Sequence, residues 1–96
     1  MKQPFSVHTT PHCERLVRKL LNTHPELNAI QERVHGILSA DPYNRSRVQP
    51  IKKLKGVPQG EGQYRLRLGR WRFRYDIYGR EVWLFYCGIR REETYR

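Results

Sequence analysis

The amino-acid sequence predicts a small α+β protein in which two N-terminal helices pack on one face of a twisted, mainly antiparallel sheet. Two patterns of apolar residues predict this class. Apolar residues recur at helical spacing before Asn44, and at every second position later in the chain. A length of 96 residues is also typical of one domain. We therefore expect a single domain over residues 1–96, with the element order β-α-α-β-β-β.

The N-terminal half predicts a short strand followed by two helices. Residues 5–8 alternate as an edge strand would. Thr10 and Pro11 are typical of a helix start, because a hydroxyl can cap the first turn and proline needs no hydrogen bond there. Two apolar stripes follow at helical spacing: Leu16, Val17, Leu20 and Leu21, then Leu27, Ile30, Val34, Ile37 and Leu38. The break at 22–24 is short, which favours an antiparallel helix pair.

The C-terminal half predicts a basic loop over residues 45–62 and then three strands. Residues 63–68 and 71–77 alternate apolar and polar side chains, and Gly69-Arg70 forms a tight turn between them. Residues 82–87 are apolar at odd-numbered and even-numbered positions alike, as in a strand covered on both faces. The side chains expected to meet the helices are Tyr64, Leu66, Leu68, Trp71, Phe73 and Tyr75.

Composition excludes several classes of protein. The mean hydropathy is -0.85, 29% of the residues are charged, and no run approaches the ~18 apolar residues that span a bilayer. Residues 1–10 lack the apolar core of a secretory signal, so we expect a cytoplasmic protein without membrane association. Cys13 and Cys87 are expected as free thiols there. Pro11 interrupts the only i,i+4 pair among the four histidines, His8 and His12, and we expect no metal and no cofactor.

The distribution of charge points to a polyanionic partner. The formal net charge is +10. Residues 1–44 carry five Lys/Arg and four acids, whereas residues 45–96 carry fourteen Lys/Arg and five acids. The basic half is also the half with strand patterning, which argues against a basic amphipathic helix on a membrane surface. An ordinary solvated basic surface remains the alternative.

Arginines are placed regularly on the predicted strands. Arg65 and Arg67 lie two residues apart, so their side chains emerge on one face about 6.5–7 Å from each other. That distance resembles the spacing of phosphates along a nucleic-acid strand. Arg72 and Arg74 on the paired strand extend the row, with only Asp76 opposing them. Further RNA-binding residues are expected in the preceding loop: Lys52, Lys53 and Lys55.

Such a surface permits catalysis without demonstrating it. In a metal-free ribonuclease the ribose 2′-hydroxyl is the nucleophile, so the protein must orient it, stabilise the phosphorane and protonate the leaving 5′-oxygen. Arginines suit charge stabilisation, because they stay protonated. The groups that could move protons are few: Lys52, Lys53, Lys55, Glu92, Glu93 and Tyr95. A plain RNA-binding module is therefore also consistent with the residues.

Several short segments resemble the RelE/ParE toxins of type II toxin–antitoxin systems. They are Leu54-Lys-Gly-Val57, Tyr64-Arg-Leu-Arg-Leu-Gly69, Arg70-Trp-Arg-Phe-Arg-Tyr75, and Cys87-Gly-Ile-Arg90 ahead of Tyr95. The resemblance covers about residues 51–96, and its motifs are more specific for the superfamily than for its branches.

The resemblance implies a function and a set of site residues. The RelE branch cleaves mRNA in the ribosomal A site without metal, by attack of the 2′-hydroxyl. Its basic residues on the first meander strand fall on Arg65 and Arg67, and its transition-state arginine falls on Arg72. Its arginine after the last strand falls on Arg90, and Arg91 is the alternative for this position. If Arg90 takes the position, the expected role of Arg91 is RNA binding. Its stacking tyrosine falls on Tyr95.

Two points qualify this assignment. The strand positions that are lysines in RelE proteins are Arg65 and Arg67 here, and arginine rarely serves as a base. The other branch, the ParE-like inhibitors of DNA gyrase, cleaves nothing; Arg90 and Tyr95 favour the RelE branch over it. Either branch implies a cognate antitoxin, which we expect to be acidic and partly disordered.

Overall fold

The computed structural model describes residues 4–90 and confirms the predicted α+β architecture. Its elements are β1 Ser6–Thr9, α1 Pro11–Leu21, α2 Leu27–Ala40, β2 Ile51–Lys53, β3 Tyr64–Leu68, β4 Trp71–Tyr78 and β5 Glu81–Ile89. The strand order in the sheet is β1-β5-β4-β3-β2. All neighbours are antiparallel except β1, which pairs in parallel with β5 at one edge.

The first helix begins where the sequence predicted, whereas α2 begins at Leu27, so the break between the helices is longer than the predicted 22–24. Thr10 is the N-cap of α1, and its hydroxyl accepts a hydrogen bond of 3.1 Å from the backbone N–H of Cys13. Pro11 occupies the first turn, where no N–H is required. The chain between α1 and α2 is a tight turn, so the helices run back along each other over the same face of the sheet. Neither helix of the described chain is long and apolar enough to cross a membrane.

An additional strand lies where the sequence predicted only a loop. Residues 51–53 pair antiparallel with β3 and extend the sheet to five strands. The turn before β2 explains this return. Asn44 has a positive φ of 56°, its side-chain amide donates to the carbonyl of Gln49 at 2.9 Å, and its side-chain oxygen accepts from the N–H of Gln49 at 3.0 Å. These bonds fold the chain back onto the sheet edge.

The β3–β4 register builds the core as predicted. Tyr64 pairs with Tyr75, and Leu66 pairs with Phe73. All six side chains expected to meet the helices are buried. The Tyr75 hydroxyl donates a 2.7 Å hydrogen bond to the carbonyl of Pro42, which fixes the segment after α2 over the sheet. The helices contribute Leu27, Val34 and Leu38 to the same cluster.

The prediction that β5 is covered on both faces was wrong in part. Its core side is buried, but Trp83 and Phe85 are half-buried and Tyr86 is 37% exposed. The exposure of Tyr86 follows from an irregularity in the β4–β5 ladder, where Arg74 pairs with Tyr86 but Tyr75 pairs with Leu84. Phe85 is therefore an extra residue on β5, and such a bulge turns two neighbouring side chains to one side.

Both cysteines are free thiols, as predicted, and belong to the core. Burial raises the pKa of Cys13 to about 11 and that of Cys87 to about 12. Since the thiolate is the reactive form, both side chains act as small apolar residues at neutral pH.

The central strand gives a test of the core. Phe73 is 1% exposed, so Phe73→Ala is expected to reduce the free energy of unfolding by about 3–5 kcal/mol, through lost burial and a residual cavity. The measurement is chemical denaturation. Val48→Ala is the control, because that side chain is 77% exposed and its removal should change stability by less than about 0.5 kcal/mol. Equal stability of the two variants would contradict the register described above.

Candidate nucleic-acid interface

The sheet face opposite the helices carries two rows of residues, which we call the arginine face. One row crosses four strands and contains Lys52, Arg65, Arg74 and Tyr86. The other crosses three strands and contains Arg67, Arg72 and Gly88. Adjacent strands lie about 4.8 Å apart, so residues within a row are direct neighbours. The structure therefore brings the predicted residues Arg65, Arg67 and Arg72 together.

The guanidinium groups of these three arginines are held differently. Arg67 is exposed. Arg72 is half-buried, and its Nη1 donates to the carbonyls of Gly69 at 2.9 Å and Trp71 at 3.2 Å, which holds the group near the β3–β4 turn. Arg65 is also half-buried, and within residues 4–90 its buried Nε–H has no hydrogen-bond partner. A buried donor without an acceptor is costly, so a ligand oxygen would stabilise it.

Arg74 and Asp76 form hydrogen bonds to the loop between β2 and β3 rather than pointing into solvent. Arg74 donates from Nε to the carbonyl of Gly62 at 3.0 Å and from Nη2 to that of Glu61 at 2.9 Å. The Asp76 carboxylate accepts from the N–H groups of Gly62 and Gln63, each at 2.9 Å. Asp76 is 3% exposed, so the expectation that it opposes the arginines on the surface was wrong. The role of Arg74 in RNA binding stays a prediction, with much of its donor capacity already used.

Gly62 explains why this loop can lie so close to the sheet. Its φ is +78°, and a Cβ there would stand 2.9 Å from the Cβ of Arg74. A side chain at this position is excluded on both grounds. The loop therefore covers the arginine face around Arg74 and Asp76 and leaves the end near the β3–β4 turn open.

A groove runs around that open end and is strongly basic. Its cationic lining residues are Lys19, Arg67, Arg70, Arg72 and Arg90, and within the described part of the chain no carboxylate lines it. Sequence patterns did not single out Lys19, which comes from α1, or Arg70, which is a turn residue. Arg70 also forms a 3.2 Å ion pair with Glu26, but both side chains are at least half exposed, so the pair is weak.

The three predicted lysines fall in different places. Lys52 pairs with Arg65 and joins the arginine face. Lys53 pairs with Tyr64, and its ammonium lies 5.8 Å from the centre of the Tyr64 ring, on the helix side of the sheet. Lys55 is exposed in the turn after β2. Only Lys52 of the three therefore extends the arginine rows.

Of the predicted residues near the C-terminus, only Arg90 is among the described residues. Arg91 and Tyr95 lie outside the described residues, as do Glu92 and Glu93. Arg90 is exposed at the end of β5, and its backbone N–H donates to the carbonyl of Arg70 at 2.8 Å. This bond ties Arg90 to the turn that carries the basic groove.

The chemistry of the described site is that of anion binding. Guanidinium groups bind phosphate oxygens through paired hydrogen bonds and keep their charge at physiological pH. No group of three or more metal-ligating side chains converges within residues 4–90. Tyr86 is an aromatic residue of this surface that sequence reasoning missed, because residues 82–87 looked uniformly buried; the only signal for it is Gly88, two residues later.

Comparison with solved structures finds a chain of similar fold. It belongs to the toxin–antitoxin complex RelBE2 from Mycobacterium tuberculosis, and the match has a TM-score of 0.70 and 26% sequence identity. It covers 91% of this chain and 99% of that chain. No protein-family model and no curated protein matches the sequence.

The two neighbouring lysines of β2 test which face binds nucleic acid. Lys52→Ala is expected to weaken binding to single-stranded RNA and to lower the slope of log affinity against log salt by about 0.7, the value for one lost phosphate contact. Lys53→Ala removes the same charge from the opposite face and serves as the control. Binding is measured by fluorescence anisotropy over a salt series. Equal effects of the two variants would show that net charge, not the arginine face, determines binding.

Proposed function

We infer that this chain, a RelE-like member of the RelE/ParE superfamily, is the toxin of a type II toxin–antitoxin system and acts as a metal-independent endoribonuclease on ribosome-bound mRNA. The observation that carries the proposal is the row of Arg67 and Arg72 on adjacent strands, with Arg65 beside them, on a fold matched by the RelBE2 chain. The proposed target also places the activity in the cytoplasm.

In the proposed reaction the nucleophile is the 2′-hydroxyl of the RNA itself, so no metal-activated water is required. The ribose 2′-oxygen attacks the adjacent phosphorus, the bond from phosphorus to the 5′-oxygen breaks, and the products are a 2′,3′-cyclic phosphate and a 5′-hydroxyl. One proton leaves the 2′-hydroxyl and one reaches the 5′-oxygen. Negative charge on the non-bridging oxygens increases in the transition state, and donors already fixed around them lower the barrier.

The arginines of the site suit one part of this reaction. Arg72 is held by backbone carbonyls beside Arg67, so its guanidinium is positioned before substrate arrives. Fixed donors lose little entropy when they bind a phosphate. Because an arginine side chain stays protonated and cannot accept a further proton, Arg65 and Arg67 would stabilise charge and not act as bases. The predicted residues Arg90 and Tyr95 would complete the site from the C-terminal segment.

The proposed partners follow from charge and from the structural match. The matched chain comes from a toxin–antitoxin complex, which supports a protein antitoxin for this chain as well. A net charge of +10 favours an acidic segment that covers part of the arginine face. The ribosome and mRNA are polyanions that the same surface would bind once the antitoxin is removed.

Induced expression followed by primer extension on cellular mRNA tests the proposal. We expect new 5′ ends inside codons that occupy the ribosomal A site, and none when translation initiation is blocked beforehand. The ParE-like alternative predicts intact mRNA, a DNA-damage response and inhibited supercoiling by gyrase. A plain RNA-binding module predicts neither cleavage nor gyrase inhibition. Growth arrest with intact mRNA would therefore exclude the nuclease.

Arg72 provides the sharpest test of the chemistry. Arg72→Ala is expected to reduce single-turnover cleavage by roughly 10²–10³-fold, by analogy with the loss of one oxyanion donor. Ribosome affinity should fall much less, because the other basic residues of the groove remain. Arg80→Ala is the control, since it removes the same charge at the β4–β5 turn, at the other end of the sheet. Equal losses of cleavage and affinity in Arg72→Ala would make Arg72 a docking residue only.

A further inference from the structure

Tyr86 occupies the space in which residue 88 would place its side chain. A Cβ at Gly88 would overlap the Tyr86 hydroxyl and would lie 2.6 Å from Cζ and 2.9 Å from Cε2 of the same ring. Real Cβ atoms do not approach other atoms this closely, so the ring requires a glycine at position 88. The φ of Gly88 is not positive, so the glycine is needed for space and not for backbone conformation.

The ladder registers locate the phenol within the site. Gly88 pairs with Arg72, and Arg72 pairs with Arg67. Since the Tyr86 hydroxyl stands over Gly88, it takes the third place in the row formed by those two arginines. Strands are about 4.8 Å apart, so a phosphate that bridges Arg67 and Arg72 would lie within reach of this hydroxyl. The side chain is 37% exposed and lines the basic groove.

The bulge in β5 produces this arrangement. Because Phe85 is an extra residue in the ladder, Tyr86 points to the arginine face although Leu84 and Cys87 both point to the core. With regular pairing, one of these two core residues would leave the core. The bulge thus keeps both Leu84 and Cys87 in the core and places an aromatic hydroxyl next to Arg72.

We propose that Tyr86 is a substrate-contacting residue, whose hydroxyl donates a hydrogen bond to a non-bridging oxygen of the phosphate held by Arg67 and Arg72. This inference rests on the proposed nuclease function and adds a neutral donor on β5 beside the arginine pair of β3 and β4. A hydroxyl suits that position because it binds a phosphate oxygen without adding another charge beside the two guanidinium groups. The competing explanation is that the ring only covers Gly88, which is buried, and so has a purely structural role.

Four variants separate these explanations. Tyr86→Phe keeps the ring over Gly88 and removes the hydroxyl, and it is expected to reduce single-turnover cleavage about tenfold to hundredfold, the effect of one hydrogen bond to a charged group. Thermal stability should not change.

Gly88→Ala should cause a similar loss of cleavage rate, because the new methyl group displaces the end of the flexible Tyr86 side chain while the backbone stays in place. In the Tyr86→Ala background, Gly88→Ala should cause no further loss, since no ring remains to be displaced. Tyr78→Phe is the control, because it removes a hydroxyl from an exposed tyrosine on the neighbouring strand β4 that does not line the basic groove.

The outcomes distinguish this inference from the proposed function. If wild-type protein cleaves mRNA on the ribosome and Tyr86→Phe cleaves at the same rate, the hydroxyl contact is excluded and the nuclease assignment stands. Additive losses from Gly88→Ala and Tyr86→Ala would also overturn it, because the glycine would then act independently of the ring. If the wild-type protein leaves mRNA intact, the proposed function fails and this inference fails with it.

Discussion

The register between β3 and β4 determines which side chains reach each face of the sheet. Gly69, with a φ of +60°, and Arg70 form the two-residue turn that sets this register, so that Leu68 lies opposite Trp71. Every second residue on both strands then packs under the helices, and the residues between them reach the arginine face. A slip of one residue would exchange the two sets, placing arginines in the core and aromatic rings in solvent. The fold and the proposed site thus depend on a single alignment.

That alignment has an electrostatic cost. Arg67 lies directly opposite Arg72, and Arg65 lies opposite Arg74, although like charges in such pairs destabilise a sheet by roughly 0.2–1 kcal/mol each. Backbone carbonyls near Arg72 and Arg74 relieve part of the repulsion. The burial of Tyr64, Leu66, Phe73 and Tyr75 on the opposite face offsets the remainder. A surface that is unfavourable for folding alone is what a polyanion-binding site requires, since phosphate removes the repulsion on binding.

Sequence patterns predicted the parts of this molecule that obey simple periodicity. Alternation in β3 and β4 identified the core residues and the arginines together, and Thr10-Pro11 identified the start of α1. The patterns missed β2, because a strand of three residues carries too little alternation to be recognised and its position depends on the turn at Asn44. They also missed the exposure of Tyr86. The bulge adds one residue to β5 but has no characteristic residue type that a sequence pattern could detect. It is recognised only from the pairing of β5 with β4.

The burial of Asp76 illustrates a different limit. The alternation of residues along β4 correctly placed Asp76 on the arginine face. Alternation does not show, however, which other segments cover that face. Two backbone N–H groups of the loop bind the carboxylate, so the negative charge is satisfied within the protein and withdrawn from the surface. The same loop occupies the guanidinium of Arg74. As a result the basic field of the arginine face is concentrated toward the β3–β4 turn, where Arg67, Arg72 and Arg90 line one groove. An acidic residue therefore shapes the proposed RNA site by holding the loop that limits it.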